Sequence, residues 1–267
     1  MYNLDTVKIG FIGYGNMAGA TAKGLIRSGA VKPEQIYACA KNYETLLKKA
    51  DAQGINAFKN AEELVKACDV IFIGVKPYLV SEVMSPLKDK LSGKTIISLA
   101  ANVFDDELEE IMPGTHHIFT APNTPVSVCE GIFILQKENT LSEQERIFVE
   151  ELLKNISLVI WMDREAIGLG GIIAGCTPAF TAMYIEALGD AACKHGLTRN
   201  DAYSIIAKML IGTGKMFLEY GEHPGQVKDA VCSPGGLTIR GVSALEQNNF
   251  RFALIDAIDQ IQEKMKD

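Results

Sequence analysis

The chain has 267 residues, of which 48% are hydrophobic and 22% are charged. This length suits one large domain or two ordinary ones, and we expect two. With 26 basic and 33 acidic residues, the formal net charge is −7, so the chain has no basic excess that would favour a nucleic acid or an anionic membrane surface. We therefore expect a small-molecule substrate, with no nucleic acid and no membrane as partners.

The cysteines do not suggest a metal site. They stand at positions 39, 68, 129, 176, 193 and 232, and the closest pair is 17 residues apart, so there is no CxxC or Cys/His metal spacing. This pattern is typical of reduced thiols in a cytoplasmic protein. The N-terminal segment MYNLDTVKIG lacks a basic n-region and an apolar h-region, which predicts that no export signal is present.

The first part of the chain alternates between two kinds of segment. Apolar, β-branched runs predict seven strands: VKIGFIG, QIYACA, VIFIGV, TIISLA, HHIFTA, GIFILQ and LVIWM. Amphipathic spacing predicts helices between them, at 16–28, 42–50, 60–67, 78–90, 104–111 and 142–154. This alternation predicts an α/β fold with a doubly wound sheet of the Rossmann type over residues 1–162.

After Trp161 the pattern changes. No further β-rich run appears, and the hydrophobic spacing is helical to the end of the chain. We therefore predict a dinucleotide-binding domain at 1–162 and an all-α domain at 163–267, joined directly without a flexible linker.

One stretch of the second part is long enough to cross a membrane. Residues 166–185, AIGLGGIIAGCTPAFTAMYI, contain no charge. Four glycines and Pro178 weaken a lone lipid-facing helix, whereas Gly171 and Gly175 at GxxxG spacing permit close approach of another helix. We predict that this segment is buried between two subunits of a homodimer, with a higher oligomer of dimers possible.

The segment GYGNMA, residues 13–18, lies between the first strand and the first helix. In a dinucleotide-binding turn Gly13 makes the tight bend and Gly15 lets the backbone approach a pyrophosphate at the positive end of the helix. A purely structural glycine turn is the alternative. The candidate phosphate-binding residues are Gly13, Tyr14, Gly15, Asn16 and Met17.

The end of the second predicted strand bears on cofactor choice. An acidic residue there would bind a free ribose 2′-hydroxyl, but the sequence has CAKN instead. Lys41 and Asn42 suit the 2′-phosphate of NADP by charge and hydrogen bonding. We therefore favour NADPH, with NADH possible; the alternative is that Lys41 is an ordinary solvated lysine.

Four further segments resemble one enzyme family. IFIGVKP, ISLAANV, APNTPVSVCEG and HPGQVKDAVCSPGGLTIRGVSALE, in this order, strongly resemble the pyrroline-5-carboxylate reductases, and the resemblance covers nearly the whole chain. It implies a Rossmann domain followed by a helical dimerisation domain. It also implies that the protein is an enzyme that reduces the cyclic imine 1-pyrroline-5-carboxylate to L-proline with NAD(P)H.

The resemblance also implies roles for particular residues. It places Val75, Lys76 and Pro77 beside the cofactor and Asn60 on its adenosine side. It places Ala100, Ala101 and Asn102 near the nicotinamide.

The loop CSPGGLT precedes a predicted helix near Thr238. Its backbone N–H groups and the helix dipole converge on one point that can hold a substrate carboxylate. The predicted substrate-binding residues are Gly235, Gly236, Leu237 and Thr238, and the predicted catalytic residues are Ser233 and Thr238, whose hydroxyl would donate to the ring nitrogen. The alternative is an ordinary helix cap by Ser233 or Thr238.

Three residues depart from the family pattern: Phe119 and Ala121 replace the Arg and Met of RxMPNTP, and Thr177 replaces a glycine of GSGPA. They leave open a catalytically weak regulatory paralogue. A β-hydroxyacid dehydrogenase with a catalytic lysine is a further alternative, but SPGGLTIRGVSALE has no place in it. The four histidines are scattered, and we expect the pair at 116 and 117 to be solvated or capping.

Overall fold

The computed structural model describes residues 2–264, and these form two compact units that divide after Gly175. In the described residues of the first unit, the strands are β1 Ile9–Ile12, β2 Ile36–Cys39, β3 Asn56–Phe58, β4 Val70–Ile73, β5 Thr95–Ser98, β6 His116–Pro122, β7 Gly131–Gln136 and β8 Ser157–Met162. The helices are α1 Asn16–Arg27, α2 Tyr43–Gln53, α3 Ala61–Ala67, α4 Val80–Met84, α5 Asp105–Ile111 and α6 Glu143–Lys154.

The strands form one sheet in the order β3-β2-β1-β4-β5-β6-β7-β8. Every neighbouring pair is parallel except β6 and β7, which are antiparallel. The chain order reverses between β1 and β4, so the predicted doubly wound Rossmann-type sheet is confirmed. Ligands of such sheets bind outside the carboxyl ends of the strands, at this reversal.

The core explains why β1 and β4 have no polar alternation. All four residues of each strand are buried, because helices cover both faces of the sheet. On one face Phe11 stacks on Phe72 with ring centroids 4.8 Å apart. On the other face Ile71 and Ile73 pack with Leu64 of α3 in a second apolar cluster.

Two features of the first unit differ from the prediction. The edge strand β3 was missed, because its three residues are only half buried and carry no periodic signal. The predicted helix at 78–90 is instead α4 between two short 3-10 segments, Pro77–Leu79 and Ser85–Lys90. Pro86 accounts for this break, because proline lacks an N–H and its ring clashes with the preceding turn of an α-helix.

The second unit is helical, as predicted. The long helix α7, Arg164–Lys194, runs from the first unit into it, and α8 Arg199–Tyr220, α9 Pro224–Ala230, α10 Leu237–Gln247 and α11 Phe250–Lys264 follow. The two units divide within α7, after Gly175, while β8 ends at Met162. The domain boundary at 162 stays a prediction.

Within one chain, the second unit leaves much apolar surface uncovered. No residue of α10 or α11 is buried, and Leu218, Leu237 and Phe252 are more than half exposed. In the described residues α7 is the one helix long and apolar enough to span a membrane; its most apolar window has a mean hydropathy of 1.5 and is 17% buried. A second protein surface or a lipid phase is needed to cover such a helix.

Candidate functional site

The loop between β1 and α1 has a backbone that requires glycine at position 13. Gly13 has φ +88°, and a Cβ there would lie 2.7 Å from the carbonyl carbon of Gly74 and from Cγ1 of Val75. The Gly13 N–H donates to the carbonyl of Cys39 over 2.9 Å. Gly13 therefore joins the ends of three neighbouring strands, β1, β2 and β4, in one tight bend.

Gly15 has a different environment. It is the N-cap of α1, with φ −81°, no side chain caps the helix, and a Cβ at Gly15 would have no atom within 4 Å. The first N–H groups of a helix have no partner inside it, and those of α1 lie at the positive end of the helix dipole, next to the open space at Gly15. This is the geometry that holds a pyrophosphate.

The three other residues of the loop, Tyr14, Asn16 and Met17, differ in how far they are exposed to solvent. Asn16 is exposed at the first position of α1. Met17 packs partly against the core, and Tyr14 is 5% exposed with its hydroxyl 2.6 Å from Oε1 of Gln53. Only the backbone of Tyr14 thus lies at the loop surface, because the ring fills the core beneath the turn and packs edge-on against Phe11. A role of Tyr14 in binding a cofactor stays a prediction.

Two asparagines predicted at the adenosine end are helix caps. Asn42 accepts a hydrogen bond from the Thr45 N–H through Oδ1, and Asn60 accepts one from the Glu63 N–H, both over 2.9 Å. Their amide nitrogens remain available for a ligand, because each cap uses only the side-chain oxygen. Lys41, at the end of β2, is exposed.

The ends of β4 and β5 carry the remaining predicted cofactor residues. After β4, Val75 is half buried and Lys76 and Pro77 are exposed, with Lys76 as the cap of a 3-10 turn. After β5, Ala100 is buried, and Ala101 and Asn102 are exposed. Asn102 has φ +60°, a left-handed conformation that asparagine tolerates better than most residues.

The topology brings these loops to one edge of the sheet. Parallel strands β2, β1, β4 and β5 are adjacent, so the loops that follow them lie side by side at their carboxyl ends. The glycine loop after β1 is in the middle, with Lys41 on one side and residues 75–77 and 100–102 on the other. A dinucleotide fits this arrangement, with its pyrophosphate at Gly15 and its two nucleosides on opposite sides.

The predicted substrate loop lies in the second unit. Gly235 has φ +70°, and α10 begins at Leu237 with Gly236 as its N-cap and no side-chain cap. The alternative of a side-chain cap by Ser233 or Thr238 is therefore wrong, and Ser233, Leu237 and Thr238 are exposed.

The Gly236 N–H donates to the Ser233 carbonyl over 3.0 Å, so it is not free for a ligand, contrary to the prediction. A Cβ at Gly236 would lie 2.4 Å from Oγ of Ser233, so the turn requires glycine. The N–H groups of Leu237 and Thr238, at the start of α10, have no partner within the helix.

Two of the three family departures, Phe119 and Ala121, lie in ordinary packing environments. Phe119 is 3% exposed, and its ring centroid lies 4.8 Å from that of Phe104. A Cβ on Gly171 would lie 3.6 Å from Cβ of Ala121, an ordinary contact. These two replacements pack apolar groups together within the first unit.

The prediction that both histidines of the pair are solvated or capping is right for His116 and wrong for His117. His116 is half exposed and lies 2.8 Å from Oε2 of Glu145, but His117 is fully buried. His117 faces Asp105, which is 7% exposed and whose Oδ1 has no hydrogen-bond partner among the described residues. Burial raises the pKa of Asp105 to about 7 and lowers the pKa of His117. The strand alternation of HHIFTA, in which neighbouring residues face opposite sides, was the signal that only one of the pair could be solvated.

Comparison with known proteins gives consistent matches over the whole chain. Residues 165–267 match the family model described as pyrroline-5-carboxylate reductase dimerisation, and residues 8–102 match that described as NADP oxidoreductase coenzyme F420-dependent. The chain is 40% identical to a pyrroline-5-carboxylate reductase of Treponema pallidum, covering 94% of this chain and 97% of the relative. It is 37% identical to that of Escherichia coli, covering 96% of each. The structure of a Plasmodium falciparum pyrroline carboxylate reductase with NADP bound superposes with a TM-score of 0.87 at 28% identity, covering 98% of both chains.

Proposed function

Because the chain belongs to the pyrroline-5-carboxylate reductase family, we propose that it reduces 1-pyrroline-5-carboxylate to L-proline with a nicotinamide dinucleotide. The observation that carries the dinucleotide part is the uncapped start of α1 at Gly15, where the backbone leaves open space. The β-hydroxyacid dehydrogenase alternative has no support from these relatives.

The residues of the first unit bind and orient the dinucleotide. The N–H groups at the start of α1 hold the pyrophosphate, and Gly13 keeps the turn tight enough for the phosphates to approach it. Residues 75–77 and 100–102 border the nicotinamide half. When bound, the reduced nicotinamide would supply the hydride for the C=N carbon of the substrate, which reacts with its ring nitrogen already protonated, so that hydride transfer gives the secondary amine of proline.

Lys41 and Asn42 favour NADPH over NADH. The Lys41 ammonium supplies positive charge at the end of β2, and the Asn42 amide nitrogen is left free by its cap, so both can bind a 2′-phosphate. We expect Lys41→Ala to weaken NADPH binding by about 1.5 to 3 kcal/mol, the scale of a charged hydrogen bond, and to leave NADH binding nearly unchanged. Calorimetry on both cofactors measures this. Lys49→Ala, an exposed lysine of α2 away from the strand end, is the control, and equal losses for NADPH and NADH contradict the assignment.

The second unit supplies the substrate contacts. The N–H groups of Leu237 and Thr238 hold the substrate carboxylate at the positive end of α10. The Thr238 hydroxyl bonds the imine nitrogen, and Ser233 assists in shaping the loop that presents it. Holding the imine in this way orients its carbon for hydride transfer.

We also propose an oligomeric state and a cellular location for the protein. The exposed apolar surface of α7, α10 and α11 is covered by a second copy of the chain, forming a homodimer in the cytoplasm, with a higher oligomer of dimers as an extension.

The decisive experiment is steady-state oxidation of NADPH with pyrroline-5-carboxylate, with proline identified as the product. We expect turnover that depends on both substrates. Tight NADPH binding without turnover would support a regulatory paralogue, in keeping with the Phe119, Ala121 and Thr177 departures.

A further inference from the structure

The loop that follows β5, residues 99–104, is held at its two ends and exposes two residues in its middle. At its start the Leu99 N–H donates to the Ile73 carbonyl over 2.9 Å, and the Ala100 N–H donates to Oγ of Ser98 over 3.3 Å. At its end the chain enters α5 at Asp105. Between these points Ala101 and Asn102 are exposed, at the edge of the sheet where the loops after β1 and β4 also lie.

Asp105 is held through both of its backbone polar groups. Its N–H donates to Oε1 of Gln136 over 3.2 Å, and its carbonyl oxygen lies 3.2 Å from Nε2 of His117. Gln136 is 3% exposed and His117 is fully buried, so water does not compete for these bonds. The start of α5 is thereby attached to two neighbouring strands, β7 and β6.

The contacts of His117 determine which ring nitrogen donates to Asp105. A carbonyl oxygen only accepts, so Nε2 carries the hydrogen that is donated to Asp105. On the other side of the ring, Nδ1 lies 3.0 Å from Oγ1 of Thr115, whose one hydroxyl hydrogen is donated to the Met112 carbonyl over 2.8 Å. Burial lowers the pKa of His117. The imidazole is a rigid strut between a strand and the first residue of α5.

A buried imidazole is not needed merely to fill the space at position 117. An apolar side chain at the same buried position of β6 would fill the space without the cost of burying a polar ring. What the imidazole adds is a fixed position for the Asp105 carbonyl, and therefore for the chain leaving the loop. We propose that His117 is a positioning residue for the reductase reaction: through Asp105 it holds residues 100–102 against the nicotinamide half of the cofactor.

This inference rests on the proposed function for the identity of the ligand. The strand order indicates which half of the dinucleotide residues 100–102 border. They lie on the opposite side of β1 from Lys41, so they border the half without the 2′-phosphate.

The test compares two ligands in three variants. His117→Leu removes the strut and keeps an apolar filling, His117→Gln retains an amide N–H that can reach the Asp105 carbonyl, and His116→Gln changes the neighbouring exposed histidine as the control. Each is titrated with NADPH and with adenosine 2′,5′-bisphosphate, which has no nicotinamide. Steady-state kinetics gives kcat and the KM for both substrates.

We expect His117→Leu to lower kcat about 10- to 100-fold, because a displacement of about 1 Å in a positioning group can cost that much. It should weaken NADPH severalfold and leave the bisphosphate affinity unchanged, while His117→Gln should recover most of both losses. Equal weakening of NADPH and the bisphosphate, or a lower Tm with unchanged kcat and NADPH affinity, would overturn the proposal. If the wild type lacks reductase turnover, the proposed function fails, but the split between the two ligands still tests the strut.

Discussion

At the scale of single residues, Gly13 and Gly15 show how one motif contains two different requirements. Gly13 is fixed by its own fold, because its φ is +88° and a Cβ would meet the backbone of Gly74. Gly15 has open space around its Cβ direction, so a side chain there harms nothing in the protein itself. The need for glycine at 13 therefore comes from folding, whereas we expect any need for glycine at 15 to come from a ligand.

This difference makes a sharp prediction. Gly15→Val should abolish dinucleotide binding with a nearly unchanged Tm, because the added methyl groups occupy the space of the phosphates. Gly13→Val should instead lower the Tm markedly, since a valine would be strained at this positive φ and its Cβ would clash with the backbone of Gly74. Calorimetric titration with NADPH and thermal unfolding measure the two effects. Unchanged NADPH affinity in Gly15→Val would contradict the phosphate-binding role of this turn.

Thr238 can be tested separately from helix capping. Gly236 is the cap of α10, so removing the Thr238 hydroxyl should not cost the about 1 kcal/mol expected for loss of a cap. We expect Thr238→Ala to lower kcat/KM for pyrroline-5-carboxylate on the order of 10- to 1,000-fold, the scale for loss of one positioned hydrogen bond, with NADPH affinity unchanged. Ser233→Ala should show a smaller loss in the same direction. Wild-type turnover with reduced stability in Thr238→Ala would count against the site.

Asp105 predicts a pH dependence of stability. Its pKa is about 7 in the folded protein because of burial, against 3.8 for an exposed aspartate, so the folded state binds the proton more tightly. Between these values stability falls as pH rises, and the full cost of ionising Asp105 is present above pH 7. Asp105→Asn cannot ionise, so its free energy of unfolding should match the wild type near pH 4 and exceed it by about 2 to 4 kcal/mol at pH 8. Denaturant unfolding at the two pH values measures the difference; a constant offset, independent of pH, would refute it.

At the scale of elements, α7 and the helices after it form an apolar surface that one chain does not bury. Met183, in the uncharged part of α7, is 68% exposed, although this stretch is among the most apolar in the sequence. If α7 packs against the same helix of another subunit, Met183→Glu places a charge in that interface and should shift the protein toward monomer. Sedimentation velocity measures the change. Lys194→Glu, at the end of α7, is the control, and an unaltered oligomer in Met183→Glu would exclude this part of α7 from the interface.

At the scale of the whole molecule, the two compact units contain different groups of the predicted site residues. The first unit holds the loops that suit a dinucleotide, and the second holds the loop proposed for the substrate and the surface proposed for assembly. We expect light scattering of the wild type to give a dimer, or a multiple of it, at micromolar concentration. A monomer would refute the assembly proposal, and partition of the purified protein into detergent micelles would favour a lipid-facing α7 instead.

The sequence by itself determined the family, the fold class and the placement of most strands and helices. Their signals are local: unbroken apolar runs mark buried parallel strands such as β1 and β4, and a glycine turn before an amphipathic run marks the start of α1. The edge strand β3 and the break of the 78–90 helix are not predicted, because β3 is short and half buried and Pro86 interrupts a stretch whose hydrophobic spacing is helical.

Tertiary structure alone decided what each polar or aromatic side chain faces. Tyr14, in the middle of the predicted binding loop, turns into the core, and His117, predicted to be solvated or capping, is buried against Asp105. The N–H of Gly236, which was predicted to bind substrate, donates to the Ser233 carbonyl within its own turn. Hydrophobic periodicity reports which side of an element is buried, whereas a hydrogen bond depends on atoms brought together from distant parts of the chain, and only the folded arrangement specifies those distances.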